Sequence, residues 1–223
     1  VRPVVRKKLN EYRDRRWMVR VNGLDTHLTE QDLANIVGTG IDGIMLPKVQ
    51  RAKEVFQMGT LMTAAENEAG VKPGATGLVA LIETALGVEN AYAIASAKAD
   101  PPRLQTLAFG AADFSLDMGI RISKTGEELA FPRARIALAC RAAGIGSPID
   151  TPFMIDLKDR QAFEADVKRG HQLGFGGKLC IHPNQVDFCN RLFAPSEQEV
   201  AAAEKIVAAF EAAEIRGQAA IQV

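Results

Sequence analysis

The sequence predicts an α/β fold of parallel strands covered by helices and, within that class, a (β/α)8 TIM barrel. Short apolar runs alternate with amphipathic, alanine- and charge-rich segments, which is the βαβα pattern of a parallel sheet. The strand runs are almost continuously apolar, as expected of strands buried on both faces. The competing architecture is a doubly wound open sheet, whose Gly-rich dinucleotide fingerprint is absent. Gly174-Phe175-Gly176-Gly177 precedes a strand instead of following one, so it reads as a turn. Six strand–helix units and a tail make 223 residues short of the roughly 250 typical of a whole barrel. The expected barrel domain covers 1–192 with two of its eight strands unaccounted for, and a C-terminal helical extension spans 193–223.

The predicted strands are Trp17–Asn22, Gly43–Pro47, Leu78–Glu83, Thr106–Gly110, Ser147–Asp150 and Lys178–His182. Helical stretches are expected near 29–38, 51–69, 87–98, 127–143 and 159–173. Pro73-Gly74 and Pro101-Pro102 mark turns entering strands. Ser196 with Glu199 three residues later makes a capping-box pattern that opens the last long helix, and Gly217 suits its left-handed end.

Charge is balanced at 27 basic and 27 acidic residues, which gives no footprint for nucleic acid or a membrane surface. No apolar stretch reaches membrane-spanning length, and no signal-peptide pattern opens the chain. Of the three cysteines, Cys140 falls in a helical run and Cys180 in a strand run, so both read as small core residues, and no CxxC pair is present. These features point to a soluble, reducing, cytoplasmic setting. The first residue is Val, which suggests that translation starts further upstream.

The chemistry concentrates at two strand ends. Leu78-Val-Ala-Leu-Ile closes on Glu83, and Thr106-Leu-Ala-Phe-Gly110-Ala111-Ala112 closes on Asp113. Two carboxylates at the carboxyl ends of neighbouring parallel strands, beside bare backbone N–H groups, suit a divalent cation and an anionic oxygen substrate. The alternative is that each acid caps the helix that follows. Arg20 interrupts the apolar strand Val19-Arg20-Val21-Asn22. It is either a solvated edge residue or a guanidinium at the barrel mouth that grips a carboxylate with both arms.

In order along the chain stand Val19-Arg20-Val21-Asn22, Met45-Leu46-Pro47-Lys48, Leu81-Ile82-Glu83-Thr84, Phe109-Gly110-Ala111-Ala112-Asp113 and Ile149-Asp150-Thr151-Pro152. Gly174-Phe-Gly-Gly-Lys178-Leu-Cys-Ile-His182-Pro183 and Ala194-Pro195-Ser196 follow. This series resembles the HpcH/HpaI aldolase and citrate lyase family, in its branch of citrate lyase β-subunits and malyl-CoA or citramalyl-CoA lyases, through essentially the whole chain. The resemblance implies a (β/α)8 barrel with Mg2+ at its carboxyl-terminal face, Glu83 and Asp113 as metal ligands, and Arg20, Glu83 and Asp113 as the catalytic set. It implies substrate contacts from Arg20, Glu83, Gly110, Ala111 and Ala112, with Arg20 and the amides around Ala111 and Ala112 holding the carboxylate of a glyoxylate- or pyruvate-like 2-oxo acid. Family members carry two earlier strand units, the second ending in an acidic motif near the metal, and a later aspartate proposed as acid or base. This chain shows neither, so the acid/base residue stays open.

The implied activity is Mg2+-dependent cleavage of a citryl-, citramalyl- or malyl-CoA type thioester, bound to CoA or an acyl carrier, into an acyl thioester and a 2-oxo acid. Such a cleavage turns a hydroxyl into a carbonyl while the departing carbon carries charge as an enolate, so Lewis acidity and fixed positive groups serve it and no Schiff-base lysine is required. The alternatives are a pyruvate-type class II aldolase acting on free hydroxy-oxo acids and a carrier-dependent subunit inactive alone. A homo-oligomer is implied by the same resemblance.

Other polar residues carry open readings. Lys48 meets a substrate anion or is a solvated loop charge, and Asp150 touches the metal's outer shell or caps the turn at Thr151-Pro152. His182 is expected in a hydrogen-bonding role, since a histidine without an acidic neighbour makes a poor acid–base case. His27 and His171 are expected at the surface, and Asp25 as a helix cap.

Overall fold

The computed structural model describes residues 1–215. Its centre is one six-stranded sheet, all parallel, with strands in the order β1-β2-β3-β4-β5-β6. The strands are β1 (Met18–Arg20), β2 (Gly43–Leu46), β3 (Gly77–Ile82), β4 (Leu104–Phe109), β5 (Ile149–Asp150) and β6 (Gly177–Lys178). Sequential parallel order with a helical crossover at each step is the topology of a curled barrel-type sheet, not of a doubly wound one. β1 and β6 are the sheet's edges among the described residues, so the sheet is open where the sequence predicts part of a closed barrel.

The helices are α1 (Arg2–Glu11), α2 (Thr29–Ile36), α3 (Ala52–Glu68), α4 (Ala85–Glu89), α5 (Ala91–Ala95), α6 (Ala111–Met118), α7 (Ala130–Ala143), α8 (Arg160–Gln172), α9 (Pro183–Phe193) and α10 (Glu197–Ile215). None of the described helices is long and apolar enough to cross a membrane.

Strand alternation sorts the core into two layers. Ile44, Leu46, Leu78, Ala80, Ile82, Leu107 and Phe109 face the helices and join Val55, Met58, Met62, Ile94 and Ile136 in the main core. Met45, Val79, Leu81 and Ala108 form a second cluster on the other face, with Ile149 and Leu179 beside it. That second layer is the inner lining of the curl. It explains why the strands read as continuous apolar runs.

Several expectations need correction. The stretch near 87–98 begins at Ala85 and breaks at Asn90 into α4 and α5, where Asn90 Nδ2 donates to the Gln50 carbonyl at 2.8 Å. The last strand covers only Gly177–Lys178, so Cys180 lies beyond it and is exposed instead of in the core. α9 occupies 183–193, where no helix was expected, with Pro183 in its first turn and His182 Nδ1 accepting from the Asn184 amide at 3.2 Å. α6 forms directly on the residues expected as bare backbone.

Other expectations match. Cys140 is buried in α7, and His27 and His171 are at the surface. The Ser196–Glu199 capping box is present, with Ser196 Oγ accepting from the Glu199 amide at 3.2 Å and the Ser196 amide donating to Glu199 Oε2 at 2.7 Å. Gly217 lies outside the described residues.

Candidate functional site

The carboxyl ends of β1, β3 and β4 bring the three expected side chains to one rim. Arg20 is the last residue of β1 and pairs in register with Met45, so it shares the inner face with Met45 and Val79. Its side chain is exposed and makes no ion pair or hydrogen bond among the described residues. Glu83 follows Ile82 at the end of β3. Two positions beyond Leu81, it points to the same inner face.

Glu83 is nearly buried, at 5% exposure, and its Oε2 accepts from the Lys48 amide at 3.0 Å. Burial pushes the Glu83 carboxyl above the usual range. The Lys48 N–H opposes that shift, the Asp113 charge adds to it, and the Arg20 and Lys48 charges pull it back. These four groups therefore share one electrostatic neighbourhood. Lys48 reaches Glu83 through its backbone, held in the left-handed region at φ 56°, while its side chain is exposed.

Glu83 is not the cap of the following helix. That role falls to Thr84, whose Oγ1 accepts from the Gly87 amide at 3.1 Å. The alternative reading of this acid as a helix cap is thereby removed.

Asp113 lies in the first turn of α6, exposed, with no hydrogen-bond partner for its carboxylate among the described residues. Gly110 precedes that helix and packs on Glu83. The Ala111 amide donates to Thr151 Oγ1 at 2.9 Å, so it is already engaged. Ala112 and Asp113 are exposed, and their amides belong to the first helical turn, which has no intrahelical acceptors, at the positive end of the helix dipole.

Asp150 does not cap the turn at Thr151-Pro152. It is fully buried, accepting from Arg133 Nε at 2.9 Å, Arg133 Nη2 at 3.0 Å and Lys178 Nζ at 2.7 Å. Asp166 completes the group, bonding Arg133 Nη2 at 2.8 Å and Lys178 Nζ at 2.7 Å. Two cations and two anions cancel, which is how charges persist in an interior. Asp25 sits in a short 3-10 turn at Leu24–Thr26, and α2 opens at Leu28 without a side-chain cap.

Among the described residues no group of three or more His, Cys, Asp or Glu gathers as a metal site. The available donors are the carboxylates of Glu83 and Asp113, with no thiolate or imidazole. Such a set suits a hard divalent cation that keeps water or substrate oxygens in its remaining positions.

Residues 4–183 match the family model described as HpcH/HpaI aldolase/citrate lyase. The chain belongs to that family. The citrate lyase subunit beta of Leuconostoc mesenteroides subsp. cremoris is 39% identical over 96% of this chain and 69% of that protein. The L-malyl-CoA/beta-methylmalyl-CoA lyase of Cereibacter sphaeroides is 38% identical over 91% of this chain and 68% of that protein. The crystal structure of protein CitE from Mycobacterium tuberculosis in complex with magnesium, acetoacetate and coenzyme A superposes with a TM-score of 0.65 at 26% identity, covering 94% of this chain and 73% of that one.

Within this family member, sequence reasoning missed three supports of the rim: the Lys48 amide, the Thr151 hydroxyl and the clearance at Gly110. Lys48 and Gly110 stood inside the quoted motifs, and Thr151 in the Asp150-Thr151-Pro152 turn. The signal was present without its meaning.

Proposed function

We propose that this protein is a Mg2+-dependent carbon–carbon lyase that cleaves a hydroxy-carboxy acyl thioester of citryl-, citramalyl- or malyl-CoA type into an acyl thioester and a 2-oxo acid. The observation that carries the reading is the convergence of Arg20, Glu83 and Asp113 at the carboxyl ends of β1, β3 and β4, with Glu83 nearly buried and its carboxyl pushed up. The relatives named as lyases support it, as does the CitE structure that holds magnesium and coenzyme A. The same reading makes 1–192 an N-terminally incomplete part of a (β/α)8 barrel to which these six strands belong, followed by a C-terminal extension from 193 onward.

Glu83 and Asp113 would hold the cation, which would supply Lewis acidity to the reacting hydroxyl. Arg20 offers a planar fork to the carboxylate of the 2-oxo acid half. The Ala112 and Asp113 amides present fixed donors to the same anionic end. Met45, Val79 and Leu81 floor the rim with apolar groups, which strengthens these interactions by keeping water out beneath them. In the cleavage the hydroxyl loses its proton and its carbon becomes the 2-oxo carbonyl of the released acid. The bonding pair leaves with the thioester-side carbon as an enolate, which then takes up a proton.

The test is turnover of citryl-, citramalyl- and malyl-CoA by the full-length protein, with and without EDTA. Turnover lost to EDTA and restored by Mg2+ is expected. Metal-independent turnover, or none on any thioester, overturns the reading. The match to citrate lyase beta subunits favours a second reading, a subunit active only with an acyl-carrier partner. Inactivity alone with rescue by the carrier identifies that case. A class II aldolase acting on free hydroxy-oxo acids would bind no CoA, and calorimetry separates it.

A further inference from the structure

Cys180 and Cys189 face each other across the junction between β6 and α9, with their sulfurs 3.7 Å apart. They differ sharply in surroundings. Cys180 lies just past the strand and is exposed, whereas Cys189 is buried at 6% exposure among Phe153, Phe163 and Val167. We propose that this pair is an oxidative modification site, in which a hydroperoxide oxidises Cys180 and Cys189 resolves it as an intramolecular disulfide.

The asymmetry assigns the roles. Cys189 is shut in by Phe153, Phe163 and Val167, so of the two sulfurs it is Cys180, exposed among the described residues, that meets a peroxide. Its sulfur takes the terminal peroxide oxygen, and the O–O bond breaks. The products are a sulfenic acid on Cys180 and water or an alcohol from the peroxide. The Cys189 sulfur then bonds to the Cys180 sulfur and displaces the hydroxyl, which leaves as water with the Cys189 proton. Two electrons pass from two thiols to one peroxide, and a dithiol reverses the bond by exchange.

Burial and the neighbouring thiol push Cys189 up to about 12, so it stays protonated and waits for an electrophile rather than reacting first. Bringing the sulfurs from 3.7 Å to a bond of about 2.05 Å asks for a side-chain adjustment, not a rearrangement of the chain. Cys140 provides an internal reference. It is buried in α7, away from the other two sulfurs, and its thiol is raised by burial.

The experiment treats the native full-length protein with hydrogen peroxide, alkylates it under denaturing conditions without reductant and maps the tryptic peptides. Residues 179–191, between Lys178 and Arg191, carry both cysteines on one peptide. The proposal expects that peptide to lose two hydrogens, both of its alkylation sites to vanish, Cys140 to remain alkylated, and dithiothreitol to restore the rest. Cys189→Ser should leave a sulfenic acid on Cys180 that dimedone captures, and Cys180→Ser should leave Cys189 reduced. An alkylatable Cys189 beside a Cys180 oxidised further to the sulfinic acid overturns the proposal. So does a disulfide that joins Cys180 of two chains. The wild-type peptide map decides even if either variant folds poorly, and it is independent of the lyase assay.

Discussion

A β-carbon added at Gly110 would lie 2.6 Å from Glu83 Cγ and 2.7 Å from Glu83 Oε1. The absence of a side chain at the start of α6 is therefore what lets the Glu83 carboxyl lie against β4. Gly110 sits at φ −115°, which any residue adopts, so the requirement is space and not backbone conformation. Gly110→Ala is expected to displace Glu83 and weaken magnesium binding about 10- to 100-fold, from overpacking strain of about 1–3 kcal/mol. Calorimetric titration of Mg2+ into both proteins checks this, and equal affinities would show that Glu83 does not bind the cation.

Glu83→Gln and Asp113→Asn should each abolish Mg2+-dependent turnover while the fold survives. Glu83→Gln carries a further signature in metal-free protein. The folded carboxyl keeps its proton to higher pH than the ordinary value of 4.5, so the native state binds more protons than the unfolded one. Stability from this site is complete below the unfolded value and falls as pH rises through the raised folded value. Glutamine removes that loss, so the variant should be the more stable protein at neutral pH and gain nothing in acid. Urea titrations of metal-free protein at the two pH values test the sign, and added Mg2+ should raise wild-type stability alone.

Thr151 is 2% exposed and joins the end of β5 to the first turn of α6 through the Ala111 amide. Thr151→Val keeps the volume but leaves a buried N–H without an acceptor, at a cost of about 1–3 kcal/mol. The first turn then shifts, and Asp113 with it. Expected results are a lower Tm and weaker Mg2+ binding, with both restored in Thr151→Ser. A valine variant with wild-type Mg2+ affinity would confine Thr151 to the fold.

Glu66 on α3 is fully buried and accepts from Arg103 Nη2 at 3.0 Å, Arg103 Nη1 at 3.1 Å and the Gly74 and Thr76 amides at 2.8 and 2.9 Å. Burial pushes its carboxyl up, but these donors win and hold it below the ordinary 4.5. A depressed carboxyl contributes stability that is complete above the unfolded value and lost as pH falls through the folded one. Glu66→Gln should therefore cost about 3–5 kcal/mol near neutral pH, by leaving Arg103 as an uncompensated buried charge. The deficit should shrink as the pH drops below about 4. Chemical denaturation across that range reads both effects.

What could be read in the sequence was what one element writes by itself. The apolar run into Glu83 and the arginine inside Val19-Arg20-Val21 stand out because period and polarity conflict locally, and both residues lie on the rim. Two features were illegible because they join distant segments. The Thr151–Ala111 bond spans 40 residues, and the group that neutralises Asp150 draws on α7, α8 and β6. The missed helix α9 has a further cause. Its Pro183 and His182 look like the end of a strand, yet proline also suits the first helical turn, and only tertiary packing selects between them.

Arg20→Lys separates the two readings of the arginine strand. The side chain is exposed and unpaired among the described residues, as either a waiting carboxylate clamp or a solvated edge residue would be. What favours the clamp is direction. Register with Met45 puts Arg20 on the inner face, and its charge is felt at Glu83. Lysine keeps that charge but replaces the planar fork with a point donor, so a two-armed grip becomes one contact. Binding of glyoxylate or pyruvate at fixed Mg2+ should weaken by about 1–3 kcal/mol, the scale of a charge-assisted hydrogen bond. Affinity for CoA alone should be unchanged if the guanidinium serves the 2-oxo acid half. Equal oxo-acid affinities in the two proteins would return Arg20 to the solvated edge and leave substrate recognition to the amides of α6.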